Sequence, residues 1–113
     1  MDNNDILRRL RYVFDLADTK MAQMFTLVGA DVAVKEVTAW LKKEDDDAFK
    51  ACPDLQMATF LNGFIVARRG KKDGPQPVPE SRLNNNIVLR KLKIALDYKS
   101  ADMLEVLALA ELP

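Results

Sequence analysis

Apolar positions near the start of the chain recur at helical spacing. Ile6, Leu7, Leu10, Val13, Phe14 and Ala17 share one face, while Arg8, Arg11 and Asp15 lie opposite. Asn4 or Asp5 is the expected cap of this first helix, because a short acceptor satisfies a free amide of the first turn. Asp18 is the expected cap of a second helix whose stripe is Met21, Met24, Phe25 and Val28. So short a connection predicts an antiparallel hairpin. Gly29 then suits a left-handed helix stop. A third helix is predicted from about Val34 to Lys43, with Val37, Trp40 and Leu41 inward and Lys42 and Lys43 at its negative pole. After the acidic stretch Glu44 to Asp47, Pro53 or Asp54 starts the longest helix, which presents Met57, Phe60, Leu61, Phe64 and Ile65. Gly63 disfavours that helix by up to about 1 kcal/mol relative to alanine. Close approach of another helix is the expected compensation.

The first pattern returns. NNDILRRLRYVFDLADTKMAQMFTLV, from Asn3 to Val28, recurs as NNIVLRKLKIALDYKSADMLEVLALA, from Asn85 to Ala110, in a constant register. Asn3, Asn4, Leu7, Arg8, Leu10, Asp15, Met21 and Leu27 reappear unchanged as Asn85, Asn86, Leu89, Arg90, Leu92, Asp97, Met103 and Leu109. Self-similarity of this kind predicts an all-α bundle built from a duplicated helix-hairpin unit, with about six helices. Three segments are expected: a first four-helix repeat over 1–69, a Pro-rich linker over 70–83, and the first two helices of a second repeat over 84–113. Pro75, Pro77 and Pro79 favour an extended, semi-rigid linker. The second unit carries more apolar side chains than one hairpin can bury, among them Val88, Leu92, Leu96, Met103, Leu104 and Leu107. Burying a side chain of this size contributes roughly 1.5–3 kcal/mol. The unit is therefore expected to cover the first one, or failing that to form a homodimer through residues 84–113.

Composition narrows the function classes. Seventeen basic residues balance seventeen acidic ones, so any polyanion site must be a local patch. A hydrophobic content of 49% argues against global disorder. Cys52 is the one cysteine, which predicts a reducing compartment. No apolar run approaches the roughly 18 residues of a membrane span. MDNND is unlike a targeting segment, so a cytoplasmic location is expected.

Positioned chemistry is sparse. The chain has no histidine, its serines are Ser81 and Ser100, and its four glycines form no phosphate loop. A catalytic role, a metal site and a bound cofactor are therefore not expected. Cys52 precedes Pro53 at a helix start, where the dipole lowers a thiol pKa, yet packing as a small apolar residue is the favoured reading. Glu44 to Asp47 lack the spacing and glycine of a calcium loop and read as a solvated turn. MAQMFTLVGADVAVKEVTAW, Met21 to Trp40, has the outline of a helix-turn-helix. Its turn is too long and its second helix runs into EDDD, so a plain bundle corner is the better reading.

Two basic groups remain as candidate contacts for nucleic acid or a protein partner. Arg8, Arg9 and Arg11 have the copies Arg90, Lys91 and Lys93, while Arg68, Arg69, Lys71 and Lys72 cluster at the end of the long helix. If the repeats are pseudo-twofold related, the Arg8/Arg11 and Arg90/Lys93 pairs flank one groove. Arg11 can pair with Asp15 and Lys93 with Asp97 at i,i+4 spacing; Arg8 and Arg90 are expected to lack a local acidic partner. A protein-interaction or regulatory module, binding another protein or itself, is the leading expectation. Nucleic-acid binding through these basic residues is the alternative.

Four segments, NNDILRRLRYVFDL, VTAWLKKEDD, FLNGFIVARRGKK and NNNIVLRKLKIALD, resemble in that order the YehS-like bacterial family of unknown function. The resemblance implies an all-helical tandem repeat in a bacterial cytosolic protein. In that family the second repeat continues through counterparts of the Trp40 and FLNGF helices, which this chain does not contain. It carries over no activity and no catalytic residue.

Overall fold

The computed structural model describes residues 2–71 and 73–96. Among these the chain forms five helices and no strand: α1 (Asn3–Phe14), α2 (Asp18–Leu27), α3 (Val34–Leu41), α4 (Asp54–Arg69) and α5 (Asn85–Leu96). The fold is all-α. The further helix expected from Ser100 onward lies outside the described residues, as do Met103, Leu104, Leu107 and Leu109. No helix among the described residues is long and apolar enough to cross a membrane.

α1 begins earlier than expected. Its cap is Asp2, whose Oδ1 accepts the Asp5 N–H at 2.8 Å, while the Asp5 carboxylate receives the Asp2 N–H at 3.5 Å. α5 starts in the same way, with Asn84 Oδ1 accepting the Ile87 N–H at 2.9 Å. Asp2 and Asn84 stand in the same sequence register and each accepts the amide three residues on. Asp2 through Asp5 are all capping residue types, so local preference cannot choose among them. Packing chooses: Asp2 is exposed and Asn4 is buried.

α1 ends because Asp15 turns left-handed (φ 51°), its N–H donating to the Arg11 carbonyl. Ala17 is consequently exposed and precedes α2 instead of continuing the apolar face of α1. Asp18 is the first residue of α2, not its cap; it accepts the Thr38 hydroxyl at 2.7 Å and so ties α2 to α3. α3 stops at Leu41, short of the expected Lys43.

One core joins all five helices. Phe25 of α2 sits between Trp40 of α3 and Phe60 of α4, with ring centroids 5.8 Å away on both sides. Tilted pairs of this kind add about 0.5–1.5 kcal/mol beyond area burial. Gly63 marks a close helix approach, as expected: a Cβ there would lie 1.9 Å from the Met24 carbonyl oxygen. No larger residue fits without driving α2 off α4. α5 lies mainly against α4, and Val88, Leu92, Ala95 and Leu96 are buried in the common core.

Asn4, in the first turn of α1, holds the long α3–α4 connection in place. Its Nδ2 donates to the carbonyls of Trp40 (2.9 Å) and Lys50 (2.8 Å), and its Oδ1 accepts the Cys52 N–H (3.0 Å). Its copy Asn86 is exposed. Removing the carboxamide strands buried backbone groups, at about 1–3 kcal/mol apiece. Asn4→Ala should therefore lower stability by about 2–4 kcal/mol, whereas Asn86→Ala should stay within about 0.5 kcal/mol. Urea unfolding of both variants checks this, and equal losses would refute the clamp.

Candidate functional site

The polar face of α1 is the first candidate. Helical spacing brings Arg8, Arg11, Tyr12 and Asp15 to one side, where they border an open concavity of about 1100 Å³ with Leu16 and Leu41. Tyr12 is 78% exposed, unusual for an aromatic ring of this size beside a complete core. Sequence reasoning passed over Tyr12 because it lies between two arginines and off the apolar stripe.

Arg8 does not lack an acidic partner. Asp5 lies one turn earlier and forms an ion pair with it, and Arg8 Nη1 also donates to the Lys42 carbonyl at 2.8 Å. Burial opposes ionisation of Asp5, but the Arg8 guanidinium, the Asp2 amide and the charge of Arg9 hold its carboxyl below the usual range. Arg11 pairs with Asp18 at 3.2 Å across the hairpin, not with Asp15, whose backbone closes the helix. Both arginines are held in place by the fold, with part of the Arg11 side chain still in water.

The second basic group divides. The Arg68 guanidinium stacks over the Phe14 ring, 5.5 Å from its centroid. Arg69 instead lines a cavity of about 400 Å³ between α4, α5 and the Pro-rich segment, which Arg90 also lines. Lys71 and Lys93 are exposed, Lys72 lies outside the described residues, and so does Asp97, the expected partner of Lys93. Arg8 and Arg11 thus line one concavity, Arg69 and Arg90 another.

Two buried polar groups in that second cavity were not foreseen. Lys91 Nζ donates to Asn62 Oδ1 at 2.6 Å and pairs with Glu80 at 3.0 Å. Burial opposes ionisation of Glu80, yet the Lys91 ammonium, the backbone amide of Glu80 itself and the charge of Arg90 keep the carboxyl below the ordinary value. In the sequence Lys91 looks like another member of a basic face. Only contact between α4 and α5 reveals Asn62 as its partner.

Cys52 sits where α1 meets the start of α4. Its N–H is taken by Asn4, and its carbonyl accepts from Asn3 Nδ2 at 3.0 Å. Asn3 also donates to Asp54 Oδ1 at 2.7 Å, while Asp54 Oδ2 accepts the Leu83 N–H at 2.9 Å. Burial, helped by the Asp54 charge, pushes the thiol up to about 12. The helix start does not activate it. The Glu44 to Asp47 stretch is an exposed turn in which Asp46 Oδ1 accepts the Ala48 N–H at 2.8 Å.

A family model described as a protein of unknown function (DUF1456) matches residues 3–70 and 85–113. The chain belongs to that family. Within it, the chain is 41% identical to the uncharacterized protein YehS of Escherichia coli (strain K12) over 108 residues, covering 95% of this chain and 69% of YehS. No solved structure matches the chain. The two matched segments bracket the Pro-rich stretch, so the DUF1456 pattern covers α1 to α4 and α5 onward but not the segment that walls the second cavity.

The thiol of this DUF1456 member gives a pH signature. Its folded pKa, about 12, stands above the ordinary 9.0, so the stabilisation is complete below pH 9 and is lost as pH rises toward 12. Thermal unfolding should show stability falling over that window, with a shallower fall in Cys52→Ala. Parallel slopes for the two proteins would contradict this reading.

Proposed function

We propose that this DUF1456 chain is a non-catalytic interaction module, a duplicated helical unit of the cytosol that recognises another protein through the outer face of α1. The observation that carries this reading is Tyr12, four-fifths exposed between Arg8 and Arg11. Tyrosine and arginine are the residue types that most often dominate binding energy. The two arginines are already positioned by Asp5, Asp18 and the Lys42 carbonyl, which reduces the ordering cost of association. The corresponding position on α5, Ile94, is also exposed, which supports the idea that both copies present a contact surface or that two chains pair through residues 84–113. The raised Cys52 pKa supports a non-catalytic role, because the thiol stays protonated and buried.

A photo-cross-linking residue at position 12 tests the proposal in cells expressing the chain. It should give a discrete protein adduct, lost when Arg8 and Arg11 are changed to glutamate, while position 23 on the exposed face of α2 gives none. Equal labelling at both positions, or none at position 12, would sink it. Arg68, Arg69 and Lys71, exposed together at the end of α4, favour a second reading in which the chain binds nucleic acid. In that case duplex DNA or structured RNA should bind tightly at low salt, weaken steeply as salt rises, and be released when Arg68, Arg69 and Lys71 are changed to glutamate.

A further inference from the structure

Between α4 and α5 the chain reads GPQPVPE, and every residue from Pro75 to Pro79 is either a proline or precedes one. A proline ring fixes its own φ, and it drives the residue before it out of the helical region into extended backbone. Such a run adopts the polyproline II form, a left-handed helix of about three residues per turn without internal hydrogen bonds. Exposure follows that period. Pro75, Val78 and Ser81 are exposed, whereas Gln76 and Pro79 are half-buried. Val78, 85% exposed, is the most exposed large apolar side chain among the described residues.

The segment is held at both ends. On one side the Gly70 N–H donates to the Val66 carbonyl at 2.8 Å and closes α4. On the other, Glu80 pairs with Lys91 at 3.0 Å and the Leu83 N–H donates to Asp54 at 2.9 Å. The Val78 backbone makes no hydrogen bond among the described residues, so its N–H and carbonyl face no internal partner. A stiff apolar edge of this kind has little freedom left to lose on association. We propose that the edge formed by Pro75 and Val78 is a recognition element for a second protein, which seats it in a groove lined by aromatic rings. Flat aromatic faces pack against proline rings and the apolar side chain between them, which is how polyproline II segments are read. No residue from Gly74 to Pro79 is charged, which disfavours nucleic acid as the occupant. The surface uses none of the residues assigned to contact on α1.

A diazirine side chain at position 78 of the full chain tests this in cells expressing it. Irradiation should give a discrete protein adduct, and mass spectrometry should place the cross-link in a partner segment containing tyrosine or tryptophan. Changing Arg8 and Arg11 to glutamate should leave this adduct in place, which separates the result from the one at position 12. With the partner purified, Val78→Asp should weaken binding about tenfold or more, while Val78→Ile should stay within about twofold. Pro77→Ala combined with Pro79→Ala should weaken it about threefold or more, because the segment must then be ordered on binding. If that double variant disturbs the fold, the two Val78 variants decide, since the position is exposed. No protein adduct, a cross-link in a segment without aromatic residues, equal labelling from position 76, or an unchanged affinity in Val78→Asp would each overturn the proposal.

Discussion

The carboxamide of Asn4 joins backbone groups of Trp40, Lys50 and Cys52 that no regular helix bond satisfies. Apolar stripes alone would let α1 slide or rotate against α3, because burial is non-directional. Three hydrogen bonds to fixed backbone positions allow one register. The adjacent Asn3 extends the clamp to Asp54, and Asp54 extends it to Leu83 at the approach to α5. The ends of α1, α3, α4 and α5 are therefore held by one continuous set of polar contacts. The Asp54 carboxyl is kept below its ordinary range chiefly by the Leu83 amide, with Asn3 helping.

The two similar sequence segments have unequal surroundings. Asn4 is buried and Asn86 exposed; Arg9 is half-buried, while Lys91 is buried against Asn62. The repeated residues are alike, but their neighbours differ, since α1 packs against α3 and α5 against α4. Gly63 fixes the other side of this arrangement by letting the α2 backbone rest on α4. With α2 on one face of α4 and α5 on another, the far end of α4 and the Pro-rich segment enclose the cavity that contains Arg69 and Arg90.

Much of the charge that suggested binding surfaces is used internally. Arg8 serves Asp5 and the Lys42 carbonyl, Arg11 serves Asp18, and Arg68 covers Phe14. Solvated pairs of this kind are worth less than about 1 kcal/mol each, so their larger effect is to set side-chain positions. Tyr12 is left as an aromatic ring without burial, and Arg69 and Arg90 line a cavity beside α4 and α5.

Local sequence determined the helices, because each apolar stripe and each short polar break acts within a few residues. The inward turn of Val37, Trp40 and Leu41, the Gly29 stop and the helix contact at Gly63 were all legible in that way. The matched starts of α1 and α5 were in the sequence too, although four consecutive capping residues hid which one caps. Tertiary structure decided what a polar side chain meets. Asn4 reads as a cap until Trp40 and Lys50 arrive from far along the chain, and Lys91 reads as a surface charge until Asn62 lies beneath it. Hydrogen-bond partners so distant leave no periodic trace, whereas burial of a helix face repeats every turn.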